Sequence, residues 1–304
     1  MNFLNKIIFV CLLVLSNIGF AQQDPLFSQY AFNTLSINPA YAGTKGVPTA
    51  VAISRLQWVG FGDNSSVTHS AVFHTMAYEK LGMGLSLVQD NIGPTSQFFA
   101  NIDASYHLQV SRREHLAMGL KLGVAQYTTN FNDLNYRDDD VLLTGVISDE
   151  KINIGAGAYY FSDKMYLGVS IPRLLESQFI NNYQTYRRHY FFIGGYLTSL
   201  TPKLQFKPSV LFKYAEGTPY SFDITPTFII NDNFLIGPNF RSNLDFGFIF
   251  QYWFINGLKT GLAYDYPLGN LSGNTVGSFE LMLGFDFKSN NKHKNVIEYS
   301  PRYF

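Results

Sequence analysis

Asp245-Phe246-Gly247-Phe248-Ile249-Phe250-Gln251-Tyr252-Trp253-Phe254 alternates without a break, with Phe246, Phe248, Phe250, Tyr252 and Phe254 on one side and Asp245, Gly247, Ile249, Gln251 and Trp253 on the other. Successive side chains of a strand point to opposite faces, so this run is a strand with one strongly apolar face. The pattern recurs at Phe279, Leu281, Leu283, Phe285 and Phe287 against Ser278, Glu280, Met282, Gly284 and Asp286. It recurs again at Phe98, Ala100, Ile102, Ala104 and Tyr106 against Phe99, Asn101, Asp103, Ser105 and His107. The polar face of a water-soluble sandwich looks outward and carries many lysines and glutamates. Here it carries glycine, amides and a few charges, which suit a crowded, wet lumen, and the apolar face is left to meet lipid.

Composition agrees. Charged residues make up 14% of the 304 residues and aromatic residues 16%, with 28 Phe and 20 Tyr. A soluble domain carries roughly a quarter charged residues, so too few remain here to coat a soluble surface. Apart from the apolar run near the N-terminus, no stretch approaches the roughly 20 apolar residues of a spanning helix, so a membrane would be crossed by strands. With 22 basic and 22 acidic residues the formal charge is zero, and a nucleic-acid partner is excluded on electrostatic grounds.

The N-terminus reads as a secretory leader over residues 1–21. Lys6 is followed by the apolar run Ile7–Leu15, and Gly19-Phe20-Ala21 places small residues at the cleavage positions. The mature chain then begins at Gln22. The single cysteine, Cys11, lies inside the leader, so disulfides, cysteine-held metals and cysteine nucleophiles are not expected after cleavage. The expected organisation is a leader over 1–21, an irregular segment over 22–46, a transmembrane β-barrel over 47–288 and a tail over 289–304.

Alternating segments fall near 47–59, 66–78, 80–90, 95–109, 115–128, 151–161, 164–171, 187–199, 203–214, 219–230, 233–242, 245–255, 258–266 and 276–288. That is an all-β antiparallel barrel of about 14 strands, an even number as single-chain outer-membrane barrels have. Turn chemistry separates them, as at Asn91-Ile92-Gly93-Pro94 and Asn231-Asp232-Asn233, and longer loops are expected at 129–150 and 172–186. Pro208 and Pro226 interrupt proposed strands and predict bulges, because each removes a ladder donor. Tyr159-Tyr160-Phe161, Tyr190-Phe191-Phe192, Tyr264 and Tyr266 lie toward segment ends and predict aromatic girdles at the membrane interfaces.

No constellation for catalysis, cofactor or metal binding stands out. The histidines at 69, 74, 107, 115, 189 and 293 are scattered, and His69 and His74 face opposite sides of one strand. Asp138-Asp139-Asp140 lacks the spacing of a calcium loop. Gly82-x-Gly84 and Gly155-x-Gly157 lack the rest of a dinucleotide loop and read as small lumen-facing positions. Asp103, Ser105 and His107 share one strand face, but neighbours on that face stand about 7 Å apart, too far for a direct hydrogen bond, so a rim hydrolase is not expected. The lumen charges in this register are Asp103, Lys121, Lys207, Lys213, Asp223, Arg241, Asp245, Lys259, Asp265, Glu280 and Asp286. Their mixed signs suit internal ion pairs or a plugged barrel more than a strongly ion-selective pore.

Residues 22–46 neither alternate nor carry a helical stripe. Asp24-Pro25-x-Phe27-Ser28-Gln29-Tyr30 followed by Asn38-Pro39-Ala40-Tyr41-Ala42-Gly43 closely resembles the N-terminal mark of the PorP/SprF family of type IX secretion proteins. Similar stretches run through Arg55-x-Gln57-Trp58-x-Gly60, Asp90-Asn91-x-Gly93-Pro94, Gly155-x-Gly157-x-Tyr159-Tyr160, Tyr166-x-Gly168-x-Ser170-x-Pro172, Pro208-Ser209-x-x-x-Lys213-Tyr214, Tyr264-Asp265-Tyr266 and the terminal Ser300-Pro301-Arg302-Tyr303-Phe304. The resemblance implies a non-enzymatic integral outer-membrane barrel of Bacteroidetes-type cells, without cofactors. It would sit in outer-membrane lipid beside type IX secretion components and assist export, docking or surface attachment of a secreted client, such as a gliding-type adhesin. A diffusion porin or nutrient channel is the alternative. Asp24, Pro25, Phe27, Ser28, Gln29, Tyr30, Asn33, Asn38, Pro39, Ala40, Tyr41 and Gly43 offer uncharged donors, acceptors and aromatic anchors. They are the candidate partner-docking element, or else residues 22–46 are a structural plug or latch that closes the periplasmic mouth.

Overall fold

The computed structural model describes residues 26–62, 65–133, 145–179, 184–216, 218–242, 245–269 and 272–287. The expected leader, Asp138-Asp139-Asp140 and the tail from 289 lie outside them. Seventeen strands are described. They are β1 Thr49–Val59, β2 Ser66–Tyr78, β3 Leu81–Ile92, β4 Thr95–Gln109, β5 Glu114–Asn130, β6 Val146–Ser162, β7 Met165–Ile171, β8 Ser177–Phe179, β9 Gln184–Tyr186, β10 His189–Tyr196, β11 Thr198–Thr201, β12 Leu204–Ala215, β13 Ser221–Ile230, β14 Phe234–Arg241, β15 Asp245–Trp253, β16 Leu258–Pro267 and β17 Gly277–Asp286. Antiparallel pairing runs from β1 to β7, across to β10, through β12 to β17, and closes where Thr49 of β1 faces Asp286 of β17. Strands β8 and β9 pair only with each other, and β11 pairs with β12 just past the end of β10. The closed barrel therefore has 14 strands. Closure removes the free edges that no lipid could satisfy.

The alternation read from sequence sets the two faces. Outward Leu120, Ile102 and Phe248 are more than half exposed, whereas inward Lys121, Asp103 and Gln251 are buried. On β5 the outward apolar positions run from Leu116 to Val124, close to the 9–11 residues that a tilted strand uses to cross a bilayer. Long connections at 131–145 and 172–188 share one end of the barrel, and short turns such as 79–80, 163–164 and 231–233 share the other. In outer-membrane barrels the long loops are extracellular and the short turns periplasmic. The 231–233 turn holds Asn231 at φ 51° and Asp232 at φ 59°, the left-handed pair that a tight hairpin turn requires.

Three expectations change. The expected loop at 129–150 is shorter, because β6 starts at Val146 and its first rungs pair with Gln126–Asn130. Gln126 Nε2 donates to Glu150 Oε1 at 3.1 Å, and the Thr128 and Ser148 hydroxyls meet at 3.0 Å. These rungs lie above the apolar band, so the ladder continues where the hydrophobic signal has stopped. Pro208 and Pro226 produce no bulge between their own strands: they face each other in unbroken register. The β13–β14 pairing lapses near Pro226 and Pro238 but resumes with the same offset, Ile224 facing Phe240 before the gap and Phe228 facing Ile236 after it. Setting proline against proline gathers the missing donors into one place instead of extruding a residue. The aromatic clusters split between faces: Tyr160, Tyr190 and Phe192 point outward, whereas Tyr159, Phe161 and Phe191 are buried inside.

Candidate functional site

The lumen is occupied by the chain's own residues 26–46. The segment is built from single turns at Tyr30–Phe32, Thr34–Ile37 and Pro39–Tyr41. Asn38 starts the last of these: its Oδ1 accepts from the Ala40 N–H at 3.0 Å, and Pro39 takes the first helical position, where no donor is needed. Its Nδ2 donates outward to the wall carbonyls of Ala158 at 3.1 Å and Val169 at 3.4 Å.

Glycines on the lumen face give this segment its room. A Cβ at Gly82 would strike the Ala42 carbonyl, one at Gly84 the Leu35 side chain, one at Gly119 the Pro39–Ala40 backbone and one at Gly157 the Asn38 side chain. The small lumen-facing positions read from sequence at 82, 84 and 157 are thus the bed on which the segment lies. The irregular segment cannot satisfy its backbone groups in a ladder, so inward side chains of the wall do so. Ser170 Oγ donates to Ile37 O at 2.8 Å, Lys121 Nζ to Leu35 O at 3.3 Å, and the Gly43 N–H donates to His74 Nδ1 at 3.2 Å.

The tightest attachment lies at the start of the segment. Arg55 on β1 reaches Asp265 on β16 at 2.7 Å and Glu280 on β17 at 2.5 Å, and all three are buried. Glu280 also accepts the N–H groups of Ser28 at 2.6 Å and Gln29 at 3.1 Å, while Ser28 Oγ donates to Asp265. Gln251 Nε2 donates to Gln29 Oε1 at 2.9 Å. Two carboxylates, one guanidinium and three donors from the segment thus form one network, in which the extra acid is neutralised by hydrogen bonds and not by a second cation. Elsewhere Arg241 pairs with Asp223 at 2.8 Å, Lys121 with Asp103 at 2.8 Å, and Lys259 with Asp286. The expected lumen charges therefore lie inside, largely as ion pairs. Lys45, near the end of the segment, lies in the same part of the lumen as Lys259.

An aromatic cluster holds the far end. Tyr41 packs edge-on against Tyr159 with centroids 5.4 Å apart and against His74 at 5.3 Å, and Tyr159 stacks on Tyr166 at 5.8 Å. Residual cavities along the segment measure about 40, 20 and 10 Å³, room for at most a few waters.

The twelve candidate docking residues fall out as follows. Asp24 and Pro25 lie outside the described residues. Phe27, Ser28, Gln29, Tyr30, Asn33, Asn38, Pro39, Ala40, Tyr41 and Gly43 are all buried against the lumen wall. In this arrangement they offer no surface to a macromolecule, because the donors and aromatic faces that suggested docking are already used on the barrel. Arg55 had no assigned role from sequence, since its carboxylate partners lie more than 200 residues away; as an inward cation on an alternating strand it was recognisable in principle. Tyr159, Phe161, Tyr166 and Phe191 were readable the same way, because consecutive residues of a strand cannot share a face.

Ser105 and His107 correct a distance. Their side chains lean together, with Oγ and Nε2 2.9 Å apart, although they are two residues apart on one strand. Both also reach the Ala42 carbonyl, at 2.6 and 2.8 Å, while Asp103 is taken by Lys121. The trio is divided between two tethering tasks. Among the described residues no group of His, Cys, Asp or Glu is placed to hold a metal ion.

A family model described as "Type IX secretion system membrane protein PorP/SprF" matches residues 19–285. No curated protein matches the chain. Among solved structures, the crystal structure of a Pseudomonas aeruginosa FadL homologue aligns with a TM-score of 0.51 at 10% identity, covering 89% of this chain and 96% of that one. The outer membrane protein Omp33 of Acinetobacter baumannii aligns at 0.46 and 9% identity, covering 81% of this chain and 100% of that one. At 10% identity the likeness to the FadL homologue is one of fold.

Proposed function

The chain belongs to the PorP/SprF family of type IX secretion system membrane proteins, and from that membership we propose that it serves secretion as a closed, non-enzymatic barrel. It is an integral outer-membrane protein. In this reading it assists export, docking or surface attachment of a secreted client, and it meets the client and the secretion components through its loops, its rims and its outer wall. The observation that carries the reading is the lumen filled by residues 26–46, with ten of the twelve candidate docking side chains packed inside. A filled lumen leaves no path for diffusing solutes unless the segment leaves. The attachment of Ser105 and His107 to Ala42 argues against hydrolysis at that pair.

The test is made in the native cell. A strain lacking the barrel should fail to display one or more type IX clients, and the tagged barrel should bring down secretion components from detergent-solubilised membranes. Normal display of every client together with slowed uptake of a small solute would establish the channel reading instead.

A further inference from the structure

The outward face is uneven. On β15 and β17 it carries Phe246, Phe248, Phe250, Phe279 and Phe285, whereas on β1 and β2 four small side chains, Ala50, Ala52, Ser54 and Ala71, lie together between the larger Leu56 and Phe73. Leu281 and Leu283 stand along one side of this low ground and Phe98 along the other, enclosing a groove of about 360 Å³ over β1, β2 and β3. The groove opens into the face that meets hydrocarbon, so what fills it comes from the membrane.

A polar pair stands at one end of the groove. Ser54 faces His69, His69 faces Gln89, and the same row continues through Phe98 to Gln126 and Glu150. One rung deeper, the outward row is Ala52, Ala71, Leu87, Ala100, Val124 and Ile152, all apolar. On β3 to β6 the polar row is the long-loop end of the apolar stretch, since the next outward row is Asn91, Ser96, Thr128 and Ser148, whereas on β1 and β2 the apolar pair Leu56 and Val67 stands one rung farther out. Gln126 and Glu150 satisfy each other across their strands. His69 and Gln89 are exposed and make no hydrogen bond among the described residues. Donors left without a protein partner on the lipid face are best satisfied by the ester and phosphate oxygens of lipid.

We propose that this groove is a binding site for one resident phospholipid, with an acyl chain lying over Ala52 and Ala71 and with its phosphate and ester oxygens accepting hydrogen bonds from His69 and Gln89. The small residues set the depth, the leucine ridge and Phe98 set the width, and the polar pair sets which end of the lipid points outward. Such a lipid lies against the closed wall beside the β1–β17 seam, where the two ends of the barrel meet.

The test titrates the detergent-purified full-length barrel with dipalmitoyl phosphatidylethanolamine and counts adducts by native mass spectrometry. Wild type should take up one lipid well before any further adducts appear. Ala71→Phe, which fills the groove, should weaken that first adduct at least tenfold, and Ala104→Phe, on the same face outside the groove, should leave it unchanged. His69→Leu with Gln89→Leu makes the face more apolar and should still weaken the first adduct several-fold, which keeps the test decisive if Ala71→Phe fails to assemble. Equal binding by wild type and the assembled variants would overturn the site. So would a membrane protein found cross-linked to position 71 in native membranes.

Discussion

Gly119→Ala sets one methyl group between the β5 wall and the lumen segment, and its effect can be worked from the geometry. The new carbon would stand 2.5 Å from the Pro39 carbonyl carbon, where carbon contacts need about 3.5–4.0 Å, so one side must retreat by roughly 1 Å. The wall is held on both flanks, with Ser105 of β4 and Gly157 of β6 opposite Gly119. The segment therefore gives way. Three of its nearby attachments, Ser105 to Ala42 O, His107 to Ala42 O and Ser170 to Ile37 O, span 2.6–2.8 Å. A retreat of about 1 Å carries each of them past hydrogen-bonding distance. Three bonds at about 0.7–1.3 kcal/mol each come to roughly 2–4 kcal/mol, in line with the usual cost of overpacking. The strand itself gains about 0.5–1 kcal/mol from losing a glycine, so the barrel should assemble normally. Hydrogen-exchange mass spectrometry on the folded barrel reads the difference: amides of residues 34–43 should exchange roughly 30- to 700-fold faster than in wild type. Gly284→Ala is the control, because its nearest neighbours would lie at 3.5 Å, an ordinary contact. Unchanged exchange in Gly119→Ala, or equal acceleration in Gly284→Ala, would refute the glycine-bed account.

Arg55→Met strands the buried Asp265 and Glu280 and should cost about 3–5 kcal/mol in thermal or denaturant unfolding of the assembled barrel. Adding Asp265→Asn and Glu280→Gln should recover most of it; a single-variant cost below 1 kcal/mol would contradict the network. Phe250→Arg places a charge on the lipid face and should cost about 2–4 kcal/mol near the midplane, read as lost insertion into vesicles. Gln251→Arg should insert normally yet loosen the segment, because fully buried Gln251 donates to Gln29; an insertion defect as large as that of Phe250→Arg would mean the faces are assigned the wrong way round.

The strands were legible because lipid on one side and a wet lumen on the other impose a period of two on each of them, and runs such as 245–254 hold it without error. Even the inward charges could be placed before any partner was known. The lumen segment was not legible in this way. Its order comes from side chains on distant strands, Arg55, Ser105, Lys121 and Ser170 among them, and no local periodicity encodes such contacts. Its composition, rich in Asn, Gln, Ser and Tyr, suits a binding surface and a polar plug equally well. The mixed-sign lumen charges pointed toward a plugged barrel, and the small inward residues at Gly82, Gly84 and Gly157 agree with it, since they leave space that something must fill. The proline positions misled for a related reason. A bulge is the expected remedy for one proline in a ladder, and the pairing of Pro208 with Pro226 is a cross-strand fact that neither strand shows alone.

Closure of the lumen by residues 26–46 is the central claim, and planar-bilayer conductance tests it most directly. Purified wild-type barrel should insert without steady ion conductance, whereas a variant with residues 26–46 replaced by a short Gly-Ser linker should insert equally well and conduct continuously. Steady, porin-like conductance from the wild-type barrel, unchanged by the replacement, would contradict the account.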